Sequence, residues 1–286
     1  MRQSHKYNTE FFMPAFYAHK FFGETVLAAL PSPLYDAIIP HHNAFILGTE
    51  SPDLLFYHKP LSKNDVKTKG MDLHLRKAKT FFEACAKKID KTAQNAQTPP
   101  AKTAVGAYVA GCICHYMLDT ACHPNVYKLE DTGVSHGLIE SEFDKYLKRQ
   151  MGEKVHKNAS KHLKTRKDDV CAIAYVLEVE KKQIKRAIST MKKINGMFSC
   201  PYKLFHALAK VVLDKLNATK FENMFLHFAN DPACDELNPI LHENLKNAVA
   251  PAVETVCAYF NSIENNAVSS EVYIQFDKNY EGERLL

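Results

Sequence analysis

The sequence has no tryptophan, and its 10 glycines and 13 prolines are few for 286 residues. With so few turn residues and no sustained apolar–polar alternation, an all-β sandwich is excluded and helices are expected. Long apolar runs are missing too. The longest, residues 104–118 (AVGAYVAGCICHYML), is shorter than the roughly 20 residues a membrane-spanning helix needs and contains His115. It reads as a buried helix. Residues 1–20 are polar, with neither a long apolar core nor a small-residue cleavage site, so no secretory signal is expected there. The 8 cysteines lack the density of a disulfide-stapled secreted domain. Free thiols and a cytoplasmic location are the expectation. Cys112, Cys114 and Cys122 lie close together but have no second pair at zinc-finger spacing, and read as small apolar packers. A GKT-type phosphate loop, a GxSxG elbow, an HExxH helix and an adjacent His-Asp pair are all absent. Those absences remove the commonest rival hydrolase mechanisms.

Apolar residues make up 46% of the chain, enough to feed a core and to argue against disorder. The 37 Lys+Arg against 32 Asp+Glu leave a net charge of +5, which permits an anionic substrate without demanding nucleic acid or a membrane. Helical patterns are expected over 15–30, stopped by Pro31 and Pro33, and over 73–89. Others cover 103–122, ended by Pro124, and then 136–150, 170–197, 201–216 and 240–263. Gly48 and Pro52 place a turn near Asp53, and KPLSKNDVKTKG reads as a solvated basic loop. The polar, basic stretch 151–168 reads as a surface loop. No composition shift demands a domain boundary. The expected organisation is an extension over 1–12, one all-α domain over 13–265 and a peripheral tail over 266–286.

Of the 14 histidines, the most informative lie in the apolar helix as HYMLDTACH: His115, Asp119 and His123, spaced by four. Four residues advance a helix by about 40° beyond a full turn, so the three side chains share one broad face. Two imidazoles and a carboxylate on a buried stripe are costly to desolvate unless they pair with one another or bind metal. Downstream, HGLIE sets His136 and Glu140 four apart, close enough to reach one ion, with Asp144 on the same face and Glu142 pointing elsewhere. Such a pair alone is ordinarily a solvated surface pair. Three upstream residues are ambiguous singly. His19 lies among apolar neighbours, Asp53 follows the Pro52 turn, and His74 is read as opening a helix.

The order H…PD…H…HxxxD…H…HxxxE resembles the zinc-dependent phospholipase C family of bacteria, a wholly helical fold distantly related to single-strand-cleaving zinc nucleases. Six segments over residues 13–150 carry the resemblance, strongest in MPAFYAHKFFG, GTESPDLL and AYVAGCICHYMLDTACHP. It implies a single multi-helix domain with a metal cluster in a cleft, binding up to three zinc ions. Asp53, His74, His115 and Asp119 would hold one; His123, His136 and Glu140 a second; His19, with Asp119 bridging, a third completed by an amino-terminal amine. Imidazoles and carboxylates without thiolates suit a catalytic zinc site with open positions. Asp53 is the catalytic candidate for orienting or deprotonating the attacking water. Two departures stand out. The spacing from Asp119 to His123 is shorter than in the secreted phospholipases. Residues 1–12 precede MPAFYAH, so an amine ligand requires either a folded-back arm or a start at Met13 that exposes Pro14.

Three functions follow. The first is a zinc phosphodiesterase acting on phospholipid or another phosphate ester, with transient contact at a membrane surface. The second is the same centre acting on nucleic acid through Lys154, Lys157, Lys161, Lys164, Arg166 and Lys167, less favoured because no tryptophan is present for base stacking. The third is a helical protein with a vestigial metal site. Head-group specificity does not transfer, because the choline-binding residues of the secreted enzymes have no counterpart here. His41, His42 and His58 lie near the proposed site in sequence, within reach of a substrate, although loop histidines ordinarily have no such role.

Overall fold

Residues 16–215, 225–227, 229–265 and 273–284 are described by the computed structural model. The extension over 1–12, the Met13 start and its Pro14 amine lie outside the described residues, as do 266–272 of the tail. Phe22, Val26 and Leu27 recur at helical spacing and are buried along α1, Phe16–Ala29. Pro31 precedes α2 (Ser32–Ile38), and Pro33 does not stop a helix but sits in the first turn of this one. The missing proline N–H costs nothing there, because first-turn N–H groups have no partner within the helix. A 3-10 turn at Ile39–His41 leads to α3 (His42–Gly48), and another at Asp53–Tyr57 follows the Pro52 turn.

The stretch read as a basic loop is helical in its second half. The Asn64 side chain accepts the Lys67 N–H at 3.1 Å and so starts α4, Asp65–Leu75. This helix buries Val66, Gly70 and His74, each four residues apart, and leaves its lysines outward. His74 therefore stands in the last turn of α4. The single helix expected over 73–89 is instead the end of α4 and, after a break at Arg76 and Lys77, α5 (Ala78–Ala96).

The apolar run lies inside α6, Ala104–Glu130, which packs against α1, α3, α5, α8 (Lys167–Leu177) and α11 (Leu237–Glu264). Covered on several sides, it needs no polar face. Pro124 does not end this helix, contrary to the local rule. Its ring withholds one N–H and leaves the Thr120 carbonyl without its helical donor. Packing on both sides of Pro124 keeps the helix going, with Cys122, His123 and Val126 all buried. His123 thus stays on the helical face of Asp119, which makes the short spacing workable.

α7 runs over His136–Gln150, and the pattern at 170–197 is two helices, α8 and α9 (Lys181–Phe198), divided by left-handed Glu178 at φ 51°. α10 (Lys203–Lys215) precedes α11. Among the described residues no strand forms, only an isolated bridge between Lys278 and Arg284. No helix of theirs is long and apolar enough to cross a membrane. All 8 cysteines are unpaired thiols, with Cys112, Cys114 and Cys122 buried in the core as expected. The tail departs most from expectation. Tyr273, Phe276 and Tyr280 are buried in the main core, so this part of the tail packs into the fold and is not peripheral.

Candidate metal centre

Four elements converge beneath the centre of α6. Its residues His115, Asp119 and His123 face α1, which brings His19, and the turn after α3, which brings Asp53; α4 brings His74 and α7 brings His136 and Glu140. The position of α1 is fixed at its start by Asp144, whose carboxylate accepts the Ala18 N–H at 2.8 Å and the Tyr17 N–H at 3.0 Å. Asp144 is therefore committed to capping α1. Glu142 points away and pairs with Lys145, as the spacing predicts.

All eight residues singled out from the sequence fall into three groups whose ligand atoms lie within 4.8 Å of one another. These are His19, His115 and Asp119; Asp53, His74 and His115; and His123, His136 and Glu140. Asp119 is the hub. Its oxygens lie 2.9 Å from His115 Nε2, 3.4 Å from His19 Nε2 and 3.8 Å from His123 Nε2. Asp53 lies 2.7 Å from His74 Nε2 and 3.3 Å from His115 Nε2. The His19 and His115 rings stack at 4.1 Å.

The outer nitrogens explain the inner ones. His74 Nδ1 donates to Gly70 O at 2.9 Å, His115 Nδ1 to Thr49 O at 2.8 Å, and His123 Nδ1 to Tyr280 O at 3.0 Å. A ring whose Nδ1–H is held by a carbonyl presents Nε2 as the ligand atom, the arrangement typical of metal-binding histidines. His136 differs in being gripped between carboxylates, with Glu130 at 3.2 Å on Nδ1 and Glu140 at 3.1 Å on Nε2. Meanwhile Glu140 Oε2 is buried without a hydrogen-bond partner, and Asp53 Oδ1 and His115 Nε2 face only imidazole nitrogens and carboxylates, at 2.7 to 3.3 Å. Imidazole lone pairs and carboxylate oxygens packed against one another in a buried site fit a cation placed among them. Among the described residues, no lysine or arginine pairs with Asp53 or Asp119 to supply that charge otherwise.

Sequence reasoning missed several contributors. Glu50, three residues before Asp53, is buried with Oε1 unpartnered; burial, then Asp53 and Asp144, push its carboxyl well above the ordinary value. Its place in ESPD was the available signal. Glu130 and the Tyr280–Glu281 segment had none. His41, His42 and His58 join none of the three groups.

The electrostatics set the protonation of the metal-free centre. Burial, reinforced by stacked His115, pushes His19 down to about 3. Burial also opposes protonation of His115, yet Asp119 and Asp53 push it up to about 9. At His136 burial is likewise outweighed, by Glu140 and Glu130, and its pKa rises to about 10. Although burial opposes ionisation, His115, His123 and His19 hold Asp119 well below the usual carboxylate range. A metal ion must displace the protons on His115 and His136 when the solution pH lies below their pKa values. Zinc affinity should therefore strengthen from pH 6 upward until both rings are neutral. Calorimetry at pH 7.5 in two buffers of different ionisation enthalpy should show about two protons released as the zinc sites fill. Release of none would show that neither ring carries a proton that zinc displaces.

The sequence model of the family described as zinc dependent phospholipase C matches residues 18–195. No curated protein and no solved structure gives a match. The match covers more than half of the chain and spans the eight converging residues, so the chain belongs to the zinc-dependent phospholipase C family, a family of hydrolases.

Proposed function

We propose that the protein is a zinc-dependent phosphodiester hydrolase acting on phospholipids. One observation carries this reading: buried imidazole nitrogens and carboxylate oxygens of eight residues converge in three groups while carbonyls hold the opposite nitrogens of three of the rings. Asp53, His74, His115 and Asp119 hold the first zinc, and His123, His136 and Glu140 the second. His19 and Asp119 begin a third. Bound zinc supplies a water of lowered pKa and positive charge for the phosphoryl oxygens. Asp53, buried beside His74 and His115, is placed to orient an attacking water and would accept its proton on a carboxylate oxygen. Asp119, within 4 Å of all three Nε2 atoms, would keep His19, His115 and His123 in register.

A lipid substrate is favoured by α10. Its Phe205, Ala209 and Leu213 pack toward Phe198 and Phe225, while Leu204, Leu208, Val211 and Val212 are exposed, as is Tyr202 just before the helix. A helix with apolar residues outward and lysines at 203, 210 and 215 suits the interface of an anionic bilayer. The nucleic-acid alternative draws on the exposed basic residues Lys154, Lys157, Lys161, Lys164, Arg166 and Lys167. Purified without chelator, the protein should carry roughly two to three zinc per chain and cleave phospholipid vesicles containing phosphatidylglycerol. Leu204→Asp combined with Leu208→Asp should lower vesicle hydrolysis about tenfold and leave hydrolysis of a soluble short-chain phospholipid unchanged. A protein without zinc refutes the enzyme. Cleavage of single-stranded DNA alone, weakening steeply with salt, replaces the lipid by nucleic acid.

A further inference from the structure

Residues 273–284 lie beyond the span shared with the family, yet they close one side of the metal centre. The backbone fastens this segment at several points. Ala78 N donates to Lys278 O at 3.0 Å, Tyr116 Oη to Gln275 O at 2.9 Å, and Tyr280 N to His74 O at 3.2 Å. The Tyr280 ring sits 5.2 Å from His74 and 5.7 Å from His115, and its carbonyl takes the Nδ1–H of His123. The chain then turns at Gly282, whose φ of 77° suits glycine, and passes against Thr120 O and Pro124. The Pro124 notch and the glycine turn together aim the intervening side chain inward.

That side chain is Glu281. It is 1% exposed, its Oε2 is 3.7 Å from His123 Nδ1, and neither of its oxygens has a hydrogen-bond partner. No lysine or arginine among the described residues pairs with it. A buried carboxylate in this condition is costly, and His123 and His74 stand near to offset it. We propose that Glu281 is a positioning residue of the metal centre. The Glu281 charge, 3.7 Å behind the Nδ1 whose hydrogen the Tyr280 carbonyl accepts, favours hydrogen on that nitrogen, leaves Nε2 free as the ligand atom, and makes the ring a stronger ligand. The segment is thus a carboxylate arm added to a centre otherwise built from residues 19 to 140.

This inference rests on the zinc reading, and one experiment separates the two. Zinc is titrated against a chelator in the wild-type chain, in Glu281→Gln, and in Glu283→Gln, an exposed control on the same segment. Thermal melting is followed for zinc-stripped and zinc-loaded protein. Glu281→Gln should weaken one zinc by about 10–100-fold, leave the others, and shrink the rise in Tm that zinc confers. Its stripped form should melt no lower than the stripped wild type, because the substitution removes an uncompensated buried charge. Glu283→Gln should match the wild type throughout. Unchanged affinity for every zinc in Glu281→Gln overturns the proposal, as does a lowered stripped Tm with the full zinc increment, which marks a purely structural residue. Should Glu281→Gln fail to fold, Glu281→Asp is read by the same criteria. A wild-type chain that takes up no zinc overturns both readings together.

Discussion

Asp119→Asn is expected to release zinc from the groups that Asp119 joins and to lower phosphodiester hydrolysis at least about a thousandfold, or roughly 4 kcal/mol of activation free energy. The substitution preserves volume and helix but replaces one anionic oxygen with an N–H donor. Asp119 is within 4 Å of His115, His19 and His123 Nε2, so the donor would face imidazoles whose lone pairs should meet a cation. Without the carboxylate, His115 also loses the first of the two charges that lift its pKa to about 9. Circular dichroism should show the helical content retained, which separates loss of metal from loss of fold. Zinc measured per chain by atomic absorption gives the answer. Full zinc in a folded Asp119→Asn protein would remove Asp119 from the ligand set.

A comparable loss should follow a change that touches no polar group. α3 and α6 cross with almost no separation at two glycines. A Cβ built on Gly48 would lie 2.0 Å from Tyr108 O, and one on Gly111 would lie 2.1 Å from Phe45 O. The obstacle in each case is backbone, which cannot rotate aside, so Gly48→Ala must push the helices apart. The expected cost is at the upper end for overpacking, about 3 kcal/mol or more, with Tm lowered by about 10 °C. The zinc centre should suffer with it. Thr49, next in the chain, holds His115 Nδ1 through its carbonyl, and Asp53 lies just beyond. Gly196→Ala, where the nearest atom is the Asn158 side-chain amide at 3.0 Å, supplies a milder comparison. Wild-type melting of Gly48→Ala would show that the crossing is softer than its geometry.

The centre was legible in the sequence where its chemistry is carried by side chains at helical spacing. His115, Asp119 and His123 declare themselves on one face of α6, and His136 and Glu140 repeat the spacing on α7. What could not be read is held by backbone or by distant chain. The carbonyls of Gly70, Thr49 and Tyr280 orient three imidazoles, and a carbonyl has no residue-specific signature. Glu281 reaches His123 across 158 residues, so no local spacing betrays it. The errors in the helices have the opposite origin, since local rules were applied where packing prevails. Pro124 argues for an end to α6, but the elements around it keep the helix intact. The lysines of residues 59–70 argue for a loop, yet Asn64 starts a helix that needs only one buried stripe.

The hydrogen bond from His123 to the Tyr280 carbonyl has a consequence for biosynthesis. During translation the histidines up to His136 emerge well before Tyr280, as a folding amino-terminal portion. Until the late segment arrives, His123 lacks the acceptor that fixes which ring nitrogen faces inward. A ribosome-bound intermediate can gather the other imidazoles, but its second group is unfinished. Order in that group therefore waits for the segment around Tyr280 to be made and docked, and a chain cut before Tyr280 would leave the His123 ring without its carbonyl acceptor.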